Sequence, residues 1–195
     1  MNEDFGILLG HVRSCRICTT ELPLGPRPVV RGTPTAGLLI IGQAPGTRVH
    51  KSGIPWNDPS GERLRDWLQI HPNDFYDASK IAILPMGFCY PGLSAKGGDM
   101  PPRPECAPKW HPQLLAALPN IQLTLLIGQY AQRRYLGKTR KKTLTATVQN
   151  WRDYGPKYLP LPHPSWRNNA WIKKNPWFTE EVLPKLRKQV SDLVN

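Results

Sequence analysis

The chain has 195 residues, a length that suits one domain (residues 1–195) with a sizeable core rather than two independent ones. Twenty-six Lys and Arg stand against 14 Asp and Glu, a net charge of +12, which points to a polyanionic partner. No apolar run approaches the ~18 residues of a membrane span, and the acidic start MNEDFGILLG lacks the basic opening of a signal peptide, so a cytoplasmic monomer with no membrane partner is expected.

The 22 prolines are scattered among Trp, Leu and Ile, which predicts rigid loops rather than disorder. Along the chain, the first buried strand is expected at residues 37–42 (GLLIIG). A turn-rich stretch, QAPGTRVHKSGIPWNDP, follows it and carries Trp56 and Asp58. A helix is expected over residues 60–70 with Ser60 as its cap. A second strand (80–84) leads to a long Gly/Pro loop over residues 91–104. A helix (105–118), a strand (122–128) and a helix (129–136) come next, then a short strand (158–161) and a closing helix (178–194). Alternating β and α segments predict an α/β fold: a central four-stranded parallel sheet flanked by helices. In such sheets ligands bind beyond the carboxyl ends of the strands. The loop after the first strand and the HPSWRNN stretch (163–169) after the fourth would then meet over one cleft.

The positive charge clusters. Arg133, Arg134, Lys138, Arg140, Lys141 and Lys142 fall together, and Arg167, Lys173 and Lys174 lie among Trp166, Trp171 and Trp177. Basic side chains neutralise phosphates and aromatics stack on bases, so nucleic acid is the expected partner.

The four cysteines are Cys15 and Cys18, in a CxxC, and Cys89 and Cys106, which bracket the long loop. A reduced compartment gives disulfides little use, and four thiolates are the number for a tetrahedral zinc or an iron–sulfur cluster. Spacing alone leaves zinc, a cluster and unliganded thiols open.

The motifs CRIC (15–18), LLIIGQAPG (38–46), GIPW (53–56), the Cys89/Cys106 pair and LPHPS (161–165) occur in an order that resembles the uracil-DNA glycosylase superfamily, and within it the iron–sulfur branch called family 4. The resemblance covers about 150 residues. It implies a [4Fe–4S] cluster on Cys15, Cys18, Cys89 and Cys106, with zinc as the alternative. It also implies excision of uracil or a related deaminated base from DNA, as a monofunctional glycosylase in base excision repair. A non-catalytic iron–sulfur nucleic-acid-binding protein on the same scaffold is the alternative. Three positions depart from the pattern. Gln43 replaces the usual Glu, Ala44 stands where the best-known branch has an Asp, and Pro85 stands where family 4 has its uracil-reading Asn. The WNDPSG segment is instead similar to the double-strand-specific branch called family 5, whose acidic residue matches Asp58.

Glycosidic cleavage passes through a sugar cation and a departing base anion. Asp58 is the candidate to stabilise the cation and position water, with a plain helix-capping role as the competing reading. His163 is the candidate donor to the leaving base, against a structural role in a Pro-rich turn. Gln43, Ala44, Trp56 and Asn57 are expected around the base. Ser165, Arg167 and Asn168 are expected on the DNA, with Arg167 filling the space the base vacates.

Overall fold

Four apolar runs form the sheet: β1 (Leu38–Ile41), β2 (Ile81–Ile83), β3 (Leu123–Ile127) and β4 (Tyr158–Leu161). Each lies within a strand expected from sequence. The computed structural model describes residues 4–95 and 97–194. Every pairing is parallel and the spatial order is β2-β1-β3-β4. Leu38 and Ile40 face one core while Leu39 and Ile41 face the other. Burial on both faces is why these runs read as continuous apolar stretches rather than alternating ones.

Nine α-helices are present among the described residues. In chain order they are α1 (Phe5–Arg13), α2 (Thr47–Ser52), α3 (Pro59–Leu68), α4 (Pro72–Phe75), α5 (Cys106–Ala116), α6 (Gly128–Leu136), α7 (Leu144–Gln149), α8 (Asn169–Lys174) and α9 (Leu183–Val194). α3 and α9 cover one face through Leu64, Trp67 and Leu68 and through Leu186, Val190 and Val194. α1, α5 and α6 cover the other through Phe5 and Leu8, Trp110 and Leu114, and Ala131 and Leu136. The expected closing helix is divided: a π-helical turn (Phe178–Val182) precedes α9.

The start of α3 differs from expectation. Asp58, not Ser60, is the cap: its backbone is extended and its Oδ1 accepts the Gly61 N–H at 2.8 Å. Pro59 takes the first helical position, where a missing N–H costs nothing. Two stretches expected as loops are partly helical. α2 interrupts the segment after β1, and a 3-10 turn (Trp166–Asn168) runs into α8 after β4. α2 and α8 have six residues each, too short for a recognisable apolar stripe.

Candidate active site

The chain leaves β1 toward β2 on one side and later returns to place β3 on the other. The carboxyl edge of β1 is therefore a switch point, where an open α/β sheet leaves a crevice. A cavity of about 130 Å³ lies there. Gln43, Ala44 and Gly46 line it from the loop after β1, and Trp56 and Asp58 from the turn before α3. Pro85 lines it beyond β2, His163 and Ser165 beyond β4, and Asp99 from the long loop. The two stretches expected to meet over one cleft do so.

Trp56 is held in an unusual backbone state. Its φ is 57°, a left-handed conformation that costs a bulky residue about 1–3 kcal/mol. Its carbonyl accepts from Arg65 Nη1 at 3.2 Å and Tyr76 Oη at 3.4 Å, which fixes that state. Gly61 and Gly42 make room for it. Any Cβ on Gly61 would overlap the Trp56 carbonyl oxygen, and one on Gly42 would come within 2.8 Å of Trp56 Cζ2. The indole then lies 5.7 Å from the His163 ring, tilted by 35°.

Three titratable groups share the cavity: Asp58, Asp99 and His163. One Asp58 oxygen caps α3, while Oδ2 faces Gly46. Capping and a role in the cavity are thus compatible in one side chain. Burial lowers the His163 pKa below the usual imidazole value, with the Asp58 charge pulling the other way. The ring is therefore neutral at neutral pH, with an N–H to give. Asn168 Nδ2 donates to the His163 carbonyl at 2.6 Å and steadies that turn.

Some expected site residues lie elsewhere. Asn57 is exposed and does not line the cavity, because the αL turn at Trp56 and the extended backbone of Asp58 leave it on the outside. Arg167 and Asn168 are also outside the lining; the Arg167 guanidinium lies against Gly98 and 5.7 Å from the Trp166 ring. Trp171 and Trp177 are not open stacking surfaces. They pack edge-on with each other and with Phe178 against the core, and Trp171 Nε1 donates to Thr145 Oγ1. Trp166 alone of that trio is open, 70% exposed.

Two residues were not singled out by the sequence. Asp99 is the only acid in the 91–104 stretch, and a lone carboxylate in a cysteine-bracketed loop was the signal available. His111 is the other. It is buried, stacks on Phe88, pairs through Nδ1 with the Tyr135 hydroxyl and through Nε2 with the Pro85 carbonyl at 3.0 Å. Burial pushes its pKa down to about 4. The neutral ring therefore donates from Nε2 to Pro85 and accepts at Nδ1.

A second cavity collects the cysteines. Cys15, Cys18, Cys89 and Cys106 all line it, with Leu22, Phe88 and Trp110 among the apolar walls. None is in a disulfide. Burial, with a smaller push from the neighbouring cysteines, raises the Cys89 thiol to about 11 and the Cys106 thiol to about 12. A backbone N–H already aims at sulfur: Phe88 donates to Cys106 Sγ at 3.3 Å. Among the described residues, no group of three or more His, Cys, Asp or Glu side chains forms a ready-made site for a metal ion.

No helix is long and apolar enough to cross a membrane among the described residues. The family model for the Uracil DNA glycosylase superfamily matches residues 29–187, a span that runs from ahead of β1 to within α9. It takes in every residue lining the cavity at the carboxyl edge, and Cys89 and Cys106 but not Cys15 or Cys18. The family acts on DNA and its members are generally glycosylase hydrolases. With most of its length and the whole of that cavity inside the match, the chain belongs to the uracil-DNA glycosylase superfamily.

Proposed function

We propose that this protein excises uracil, or a related deaminated base, from DNA by hydrolysing the N-glycosidic bond. The observation that carries this reading is the joint presence of Asp58 and His163 on one cavity at the sheet's switch point. The nucleotide is flipped from the stack and its base enters that cavity. Trp56 supplies an aromatic wall for it, and Gln43 and Ala44 line the same cavity. As the bond breaks, the free oxygen of Asp58 faces the sugar cation and holds the attacking water. The neutral His163 ring donates its proton toward the base oxygen where negative charge grows. Outside the cavity, exposed Trp166 and Arg167 follow directly on Ser165. They are placed to enter the gap left in the duplex while Ser165 binds a flanking phosphate.

The four thiols fit a [4Fe–4S] cluster, as in the family 4 branch. Four cysteines line one cavity, its walls are largely apolar, and the Phe88 N–H points at the Cys106 sulfur. Buried thiols this reluctant to ionise need a cationic centre to exist as thiolates. The cluster would supply a covalent tie between the N-terminal segment and both ends of the long loop. Iron and acid-labile sulfide at four irons per chain, with a brown absorbance near ~400 nm, are the expected analysis; stoichiometric zinc would replace the cluster.

Cleavage of oligonucleotides carrying uracil, hypoxanthine or xanthine tests the activity, with wild type against Asp58→Asn and His163→Ala. Abasic product from the wild type, lost in both variants, is the expected result. Salt-dependent DNA binding with no base release from any oligonucleotide would make the protein a binding module on a glycosylase scaffold.

A further inference from the structure

The described cavity contains a second carboxylate, Asp99, that neither the capping of α3 nor the donor role of His163 uses. Asp99 sits at the cavity rim, on a short bridge with Leu93 inside the long loop. That loop is positioned. Gln43 Nε2 donates to the Met100 carbonyl at 3.4 Å, and Met100 N–H donates to Gly92 at 2.8 Å. Asp99 Oδ2 and Asp58 Oδ2 flank the space a Gly46 Cβ would fill, at 3.6 and 4.0 Å from it. With glycine there, the space between the two carboxyls is open.

We propose that Asp99 reads the Watson–Crick edge of the flipped base, pairing with the adjacent N–H and C=O of the lactam that uracil and hypoxanthine share. This rests on the glycosylase reading above. It also answers what stands in for the amide absent at Pro85. A lactam edge offers one donor beside one acceptor, so its partner must offer one acceptor beside one donor. A carboxylic acid in its neutral form does so; a carboxylate has acceptors only and repels the lactam oxygen.

The surroundings shift Asp99 toward its neutral form. Asp99 keeps solvent exposure at the rim, and its partial burial raises its pKa, as does the Asp58 charge, while Arg167 opposes. Those are the charged groups facing Asp99: Asp58 from the cap of α3 and Arg167 from the turn after β4, with the neutral His163 across the cavity. A base entering the cavity displaces water from the carboxyl and drives its pKa in the same upward direction. Two acids with different environments then divide the work. Asp58, hydrogen-bonded at the helix N-terminus, turns its free oxygen toward the sugar; Asp99 meets the base.

The test is a pH profile of single-turnover base release from uracil and hypoxanthine oligonucleotides. Wild type, Asp99→Asn and Asp99→Ala are compared, each first shown to keep the wild-type thermal midpoint. Asp99→Ala loses about tenfold to hundredfold on both bases, the cost of one hydrogen-bonded pair with a buried partner. Asp99→Asn presents the same donor and acceptor at any pH and stays near wild type. The wild-type rate falls as pH rises through the Asp99 pKa, and the Asn variant does not show that fall. Full activity in Asp99→Ala overturns the inference, as does an Asn variant as weak as the Ala variant, or a wild-type fall that persists in Asp99→Asn. In those outcomes the wild type still releases base, so the glycosylase reading stands. A wild type that releases neither base overturns both.

Discussion

The two cavities are built in opposite ways. The one at the carboxyl edge is a product of sheet topology. β2 and β1 end side by side, with β4 beyond β3 on the same carboxyl edge, and the loops that follow them converge there. The thiol cavity owes nothing to strand order. It is assembled from the segment after α1, the residues after β2 and the first turn of α5. The first is held by backbone pairing and packed cores; the second gathers four thiols from three separate segments. They share the segment from Gly87 to Cys106, which carries Asp99 into one cavity and both ends into the other. A polypeptide can thus bring side chains to one cavity by sheet order alone, while a 14-residue Gly/Pro loop over it relies on contacts such as Gln43 with Met100.

The sharpest way to break this comparison is at Asp58, where cap and chemistry coincide. Asn caps a helix as well as Asp does. Asp58→Asn is therefore expected to keep the thermal midpoint while single-turnover cleavage falls about 10²- to 10³-fold. Asp58→Ala loses the cap too, about 1 kcal/mol, or a midpoint lower by roughly 2–4 °C. Full cleavage by the Asn variant would reduce Asp58 to a cap.

The shared segment gives the next largest effect. Under the proposed cluster, replacing Cys89 and Cys106 together by Ala removes both tethers of the long loop. A constraint of this kind contributes about 2–4 kcal/mol, so calorimetry is expected to show a midpoint lower by roughly 5–15 °C, with iron and sulfide lost. An unchanged midpoint would mean the loop is held by its hydrogen bonds alone.

His111 links the two regions, since it supports the Pro85 carbonyl at one cavity and stacks on Phe88, which donates to Cys106 at the other. Its pKa is about 4 in the folded chain and about 6.5 when unfolded, so the folded state binds fewer protons between those values. The stability it contributes is present above pH 6.5 and is lost as pH falls toward 4, to a limit of about 3 kcal/mol. Urea titrations across that window are expected to fall less steeply for His111→Gln than for wild type. Parallel slopes would place the acid sensitivity elsewhere.

The strands were legible because a doubly covered parallel sheet writes itself as unbroken Leu and Ile. His163 and Ser165 followed from them, since the residues after a strand lie at the sheet's carboxyl edge. The cap of α3 was misread because Ser60 and Asp58 are both good caps, and only the extended backbone of Asp58 decides between them. Trp171 and Trp177 were misread because basic neighbours say nothing about which way an indole turns; Phe178 and the core took both. Asp99 escaped because a loop without periodicity gives no face to assign, and its place depends on contacts as distant in sequence as Gln43 with Met100.

The smallest expected effect tests whether the walls of the carboxyl-edge cavity act together. Arg63, on the outer side of α3, donates to the Ser165 carbonyl at 3.1 Å and to Asn169 Oδ1 at 2.7 Å. It thereby joins the helix that carries Asp58 to the turn that carries His163. Neither bond involves Asp58 or His163 themselves, so Arg63→Ala leaves both groups in place and removes the link between their elements. The expected cost is about 1 kcal/mol of stability, roughly 2–4 °C. The coupling should also matter more for closing on the flipped nucleotide than for the bond-breaking step, giving a KM raised about threefold to tenfold at near-constant kcat. A fall in kcat with KM unchanged would mean instead that Arg63 sets the spacing between Asp58 and His163 in the transition state.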